Sequence, residues 1–168
     1  MIFGLLLLLV ACQNSEATPT LQPGEVEVPF ETIVLAGEGF AEITEPPPLY
    51  TITNAEEIRQ LQDLIEPAAL QRLQAVNFSS DNLLALFQVP SWGCAGYSGT
   101  IERLVRKADV LTVMATDWQP PAGAACAQTN VTGYHIVAVS KQDVNLDAVT
   151  LRLERQPQER EGRLQKLP

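Results

Sequence analysis

Ser79-Ser80-Asp81-Asn82-Leu83-Leu84-Ala85-Leu86-Phe87-Gln88-Val89-Pro90 is the stretch on which the fold turns. Residues 83 to 89 are apolar except for Gln88, with turn formers ahead of them and a proline behind. A short run bounded by such breakers reads as a strand, and its lack of alternation suits one buried on both faces. The neighbours of that strand are sought on either side. Toward the C-terminus, Thr100 to Arg106 and Val110 to Thr116 predict a hairpin across Lys107-Ala108-Asp109. Val131 to Val139 predicts a further strand, with Tyr134, Ile136 and Ala138 on one side and His135, Val137 and Val139 on the other. Val149 to Leu153 predicts the last.

Toward the N-terminus, Val26, Val28 and Phe30 alternate with Glu27 and Glu31, and Ile33-Val34-Leu35 follows, which reads as a strand or a bulged pair. Glu45-Pro46-Pro47-Pro48 is a stiff connector into a short strand at 49–52. Asn54 then reads as a helix N-cap, with Glu57 three residues on in capping-box spacing. Ile58, Leu61 and Ile65 fall on one helical face. Pro67 ends that helix or starts a second, through which Leu70, Leu73 and Val76 keep the spacing. The expected class is α+β: one domain over residues 26–153, a mostly antiparallel β-sheet with a helical insertion packed on one face. Residues 154–168 are polar and mixed in charge, which predicts a C-terminal tail, frayed or weakly helical.

The 168 residues are 46% apolar and 18% charged, a balance that can build a core. Twenty acidic against eleven basic side chains give a net charge of -9. That argues against a nucleic-acid partner, because phosphate neutralisation needs a basic surface and none of the short basic clusters supplies one. Three cysteines and one histidine leave almost no stock for a His/Cys metal site, and the only Gly-rich stretch has neither the P-loop lysine nor the Rossmann spacing. No metal and no cofactor is expected.

Residues 1–11 run Met1-Ile2-Phe3-Gly4, five leucines, Val10 and Ala11, and Cys12 follows. The apolar run is too short to span a bilayer but has the length of a signal-peptide core. Leu9-Val10-Ala11-Cys12 closely resembles a bacterial lipobox, in which the small residue marks the cleavage site and the cysteine carries a diacylglycerol. One departure is the absence of Lys or Arg before the leucines. The resemblance implies a mature chain held to a membrane through acylated Cys12, extracytoplasmic, at the cell surface or the periplasmic face. Residues 12–25 hold one large apolar side chain, Leu21, and read as a flexible linker. Cys94 and Cys126 then remain as an even pair in an oxidising compartment, which favours a disulfide over a reactive thiol.

Three patches in order resemble the PrcB C-terminal domain, a family of secreted or lipid-anchored bacterial domains. They are Leu83-Leu84-Ala85-Leu86-Phe87, then Gly93-Cys94-Ala95-Gly96-Tyr97, then Trp118-Gln119-Pro120-Pro121-Ala122-Gly123 followed by Gly133-Tyr134-His135-Ile136-Val137-Ala138-Val139. The resemblance covers roughly residues 80–140. Gly133 stands where the family commonly has proline, and Cys94 interrupts the glycines of the turn. The family is linked to stabilising a surface protease complex and brings no catalytic residues. Gly93, Gly96, Tyr97 and Tyr134 are implied to be positions of backbone geometry and packing.

Among other chemistry-bearing residues, Glu56 and Glu57 are explained by capping, and neither Ser91 nor Ser98 lies in a nucleophile elbow. His135 is a candidate general base, set against a packed strand histidine. Trp92 and Trp118 each flank a proline-containing loop, with Pro90 beside one and Pro120 and Pro121 beside the other. A disulfide between Cys94 and Cys126 brings those loops together as a candidate surface for a protein partner, or lets both indoles pack on the disulfide. The expected function is a lipid-anchored, non-catalytic accessory module. A protease inhibitor presenting the same loops is the alternative, and a hydrolase using His135 the second.

Overall fold

A computed structural model describes residues 20–36, 49–88, 99–125 and 133–159. The strands among them are β1 (Glu25–Val28), β2 (Glu31–Ala36), β3 (Leu49–Ile52), β4 (Asp81–Gln88), β5 (Gly99–Lys107), β6 (Val110–Gln119), β7 (Gly133–Ser140) and β8 (Thr150–Glu159). They form two four-stranded sheets, ordered β1-β5-β6-β8 and β2-β7-β4-β3. Every pairing is antiparallel except that of β6 with β8. The class is therefore α+β with mostly antiparallel sheets, divided between two sheets where one was expected.

The apolar run at 83–87 lies in a strand flanked by β3 and β7, and its two faces enter two different buried clusters. Leu84 and Leu86, with Val137 and Val139 of β7, meet Ile101, Leu104, Leu111, Val113 and Ala115 of the opposite sheet. This is the layer in which the sheets face each other. Leu83, Ala85 and Phe87, with Tyr134 and Ile136, share the other cluster with Ile58, Leu61, Ile65, Ala69 and Leu73. Each fully buried Leu or Phe removes apolar surface worth about 2 kcal/mol from water. The alternation expected for residues 134–139 holds, and both faces are largely apolar because Val137 and Val139 enter the cluster between the sheets while Tyr134 and Ile136 enter the other.

Residues 25 to 35, expected as one strand or a bulged pair, instead divide at Pro29 and Phe30 between the two sheets. Proline has no N–H to give a ladder, so the chain changes sheets where a pairing would fail anyway. β2 also carries a bulge between Thr32 and Val34. The expected hairpin forms across Ala108 and Asp109, with Ala108 at φ 54°.

The helical region departs from expectation at its start. A 3-10 turn, Glu57–Leu61, stands where an α-helix was expected, and the α-helix α1 spans Pro67–Gln74. The expected capping box does not form as such, since Glu56 is the N-cap of this turn and carries no side-chain cap, but Asn54 and Glu57 still tie the chain before it. Asn54 Oδ1 accepts from the Glu56 and Glu57 amides at 3.0 and 3.2 Å, and the Glu57 carboxylate reaches back to accept from the Thr53 amide at 2.7 Å. Ile58 and Leu61 are three residues apart, a spacing that three residues per turn serves as well as 3.6. Pro67 then starts α1 at its first position, where its missing N–H removes no helical bond.

The C-terminal boundary is a correction. Residues 154–159, expected to begin a polar tail, continue β8 through Glu159. Inward positions of this edge strand are Leu151, Leu153 and Arg155, and Arg155 replaces a third apolar residue by pairing with Asp117 of β6 at 2.6 Å. Polar residues between them face solvent, so the segment reads as hydrophilic while remaining strand.

Candidate binding surface

On β6, Leu111, Val113 and Ala115 point into the sandwich, which turns Val110, Thr112, Met114, Thr116 and Trp118 to the opposite face. Along that outer face lie two adjoining hollows of about 440 and 360 Å³ that share Arg103, Met114 and Glu154. Leu21, Val105 and Thr112 line the first; Thr116, Trp118 and Gln156 line the second. Ordinary strand alternation produces this surface: a β6 sequence that is apolar inward still spends a methionine and a tryptophan outward.

Trp118 is half-buried, and its indole Nε1–H donates to Thr100 Oγ1 at 2.8 Å across the β5–β6 pair. After Gln119 come Pro120 and Pro121, also half-buried, before a turn at Gly123 with φ 81°. These three are the members of the expected loop surface that fall among the described residues. Cys12, Pro90, Trp92, Gly93, Cys94, Gly96, Tyr97 and Cys126 lie outside them. What is described is where the cysteine-bearing segments join the sheets: Gln88 is the register partner of Gly133, and Gly99 that of Asp117. The segments 89–98 and 126–132 therefore start or finish at one end of the sandwich. Gly99 fits tightly there, since a Cβ on it would stand 3.1 Å from both Leu86 Cδ2 and Asp117 Oδ1.

His135 lies beneath the surface, 4% exposed, between the sheets. Its Nδ1 accepts from the Ile101 amide at 2.8 Å, and its Nε2 stands 2.9 Å from Thr32 Oγ1. An acceptor Nδ1 fixes the neutral tautomer with the proton on Nε2, which then donates to Thr32. Burial lowers the imidazole pKa to about 4. The Ile101 amide sits where the β5–β6 register shifts between Ile101 and Arg103, so the histidine satisfies a donor at the bulge. That bulge also sets the course of Arg103, whose guanidinium reaches Glu27 on β1 at 3.0 Å. With its lone pair engaged and its other nitrogen on Thr32, the ring is a tie between sheets.

Tyr134, on the other face of β7, is fully buried and tilted against Phe87 at 5.9 Å. Burial first, then the nearby Glu66 carboxylate, pushes its phenol pKa up to about 12. It is a packing anchor. No group of three or more His, Cys, Asp or Glu side chains able to hold a metal occurs among the described residues. No helix among them is long and apolar enough to cross a membrane.

Sequence reasoning singled out Trp118 but not Arg103, Met114, Thr116, Arg152, Glu154 or Gln156. The β6 alternation carried that signal, but it became usable only once β8 was known to lie beside β6. Comparison with protein-family models, with curated proteins and with solved structures finds no match for this chain.

Proposed function

We propose that this chain is a lipid-anchored, extracytoplasmic binding module without catalysis of its own, which presents the outer face of the β1-β5-β6-β8 sheet to a protein partner. The observation that carries the reading is the groove containing Met114 and Trp118, an aromatic and a flexible apolar side chain among Arg103, Glu154 and Gln156. All three of Arg103, Met114 and Trp118 are half-buried, and aromatic, methionine and arginine side chains set in a polar surround are the composition of a protein-binding patch. The His135 environment favours the non-catalytic reading over the hydrolase, since its basic lone pair is committed to a backbone amide.

We infer further that the helical insertion covers the outer face of the other sheet, on the strength of the cluster joining Leu61 and Leu73 to Leu83 and Phe87. That leaves the first sheet as the open side. The Cys94–Cys126 disulfide is part of the same proposal, supported by the shared sandwich end from which both segments depart. An accessory role in a surface protease complex rests on the short PrcB-like motifs alone.

The test is capture from membranes with the lipidated chain, against the double variant Met114→Ala, Trp118→Ala. A reproducible partner lost with the variant supports the reading. Equal capture by both proteins, or turnover of a substrate that disappears with His135→Ala, refutes it.

A further inference from the structure

The outer edge of β8 is the most specific unused feature of the molecule. β8 lies last in its sheet, with no described strand beyond it. The Thr150 amide donates to the Asp109 carbonyl at 2.7 Å, so the backbone groups of residue 150, and by alternation of 152, 154 and 156, turn toward β6. Those of Leu151, Leu153 and Arg155 turn to the open side. Pro157 falls on the same parity, placing its missing N–H on the open edge, which is where proline is tolerated in a strand. The edge therefore offers three consecutive donor–acceptor positions and then stops.

We propose that this edge pairs with β8 of a second copy of the chain, antiparallel about a two-fold axis at Leu153. Strand parity restricts the register to pairings of odd with odd and even with even residues. An axis at residue 152 or 154 sets Arg152 against Arg152 or Glu154 against Glu154, an axis at 155 sets Arg155 against itself, and axes at 154 and beyond bring Pro157 into the ladder. An axis at 151 avoids these faults but carries the pairing back to Val149, outside β8, and leaves Arg155 unused, so only the axis at Leu153 engages all three open positions without them. It makes 151–155, 153–153 and 155–151 the hydrogen-bonded pairs, and it sets Arg152 opposite Glu154 on both sides of the axis. Those are non-hydrogen-bonded pairs, in which side chains lie closest, with Cα atoms about 4.5 Å apart. Both residues are exposed on the outer face, and neither takes part in an ion pair among the described residues. The assembled sheet runs β1-β5-β6-β8-β8-β6-β5-β1 and joins the grooves of the two copies.

Sedimentation velocity of the full chain in density-matched detergent, at concentrations up to about 100 μM, tests this, since weaker pairing than that is not a stable assembly. The wild-type chain is expected to dimerise. Arg152→Glu and Glu154→Arg should each weaken association at least tenfold, while far-UV circular dichroism, insensitive to these solvent-facing changes, confirms folding. The double swap Arg152→Glu, Glu154→Arg should restore it. An equimolar mixture of the two single variants should form a heterodimer, because each Glu then faces an Arg. A monomeric wild type overturns the proposal, and so does a dimer indifferent to the single reversals or a mixture that fails to associate.

Discussion

His135 shows how a residue chosen for its chemistry can be explained by its backbone surroundings. A histidine on an otherwise apolar strand invites a catalytic reading, yet here the ring supplies an acceptor to the Ile101 amide at a bulge and a donor to Thr32. Its pKa of about 4 in the fold lies below the ordinary value of 6.5, so the unfolded chain binds the proton more readily. Stability linked to this group is therefore whole above pH 6.5, falls as pH drops from 6.5 toward 4, and changes no further below that. The expected loss over the window is at most about 3 kcal/mol. Urea unfolding of wild type and His135→Asn at pH 7 and pH 4.5 checks it: the variant should be less stable at pH 7 and lack most of the wild type's decline. A parallel decline in both proteins would assign the pH dependence to carboxylates instead. Ala108 offers a change of the opposite sign. It holds a left-handed φ of 54° at the β5–β6 turn, a conformation that costs a non-glycine residue about 1–2 kcal/mol. Ala108→Gly should raise stability by about 0.5 kcal/mol, once the greater entropy of glycine in the unfolded chain is set against that relief. An unchanged or lower denaturation midpoint would count against the strain.

At the scale of elements, what sequence could supply was local. Leu83 to Phe87 announced a strand covered on both faces because no polar residue interrupts it, and Tyr134 to Val139 alternated as expected for one packed between two layers. Asn54 and Glu57 announced a helix start; what forms is a 3-10 turn that the same apolar spacing permits, capped at Glu56, with Asn54 and Glu57 bonding just ahead of it. Non-local choices were hidden. Nothing near residue 30 says that the strands on either side of Pro29 join different sheets, and nothing near residue 154 says that a charged segment will continue as a strand. The second depends on Asp117, thirty-eight residues away, meeting Arg155. The surface on β6 was half visible for the same reason: Trp118 stood out as a residue type, whereas Met114 and Arg103 gained meaning only from their neighbours. Burial within α1 gives a sharp contrast to test. Leu73 is wholly buried in the cluster with Phe87, and Leu70 beside it is partly exposed. Leu73→Ala should cost about 3 kcal/mol, and Leu70→Ala under half of that, measured by chemical denaturation. Equal losses would mean that α1 does not sit with Leu73 inward.

At the scale of the whole molecule, the two sheets are held by apolar contacts through the middle and by His135 near the bulge, and the proposed disulfide closes one end. Gln88 and Gly133 are register partners, so the segments carrying Cys94 and Cys126 leave the same sheet side by side, one from β4 and the other into β7. A covalent link there joins segments whose roots are already adjacent, so its effect falls mainly on the unfolded chain. Cross-linking two residues about thirty apart removes loop-closure entropy worth roughly 3.5 kcal/mol. Reducing the native protein should lower its stability by about that amount, with no change in the far-UV spectrum at 25 °C. Cys94→Ser and Cys126→Ser separate the covalent account from packing. If the two sulfurs are bonded, either single variant loses the whole contribution and the double variant loses no more. If each thiol is packed independently, the losses add and reductant has no effect on the wild type. The bonded result would also support the extracytoplasmic reading, since structural disulfides persist mainly in oxidising compartments. Independent thiols would remove that support and leave the lipobox-like Leu9-Val10-Ala11-Cys12 to carry the extracytoplasmic reading by itself.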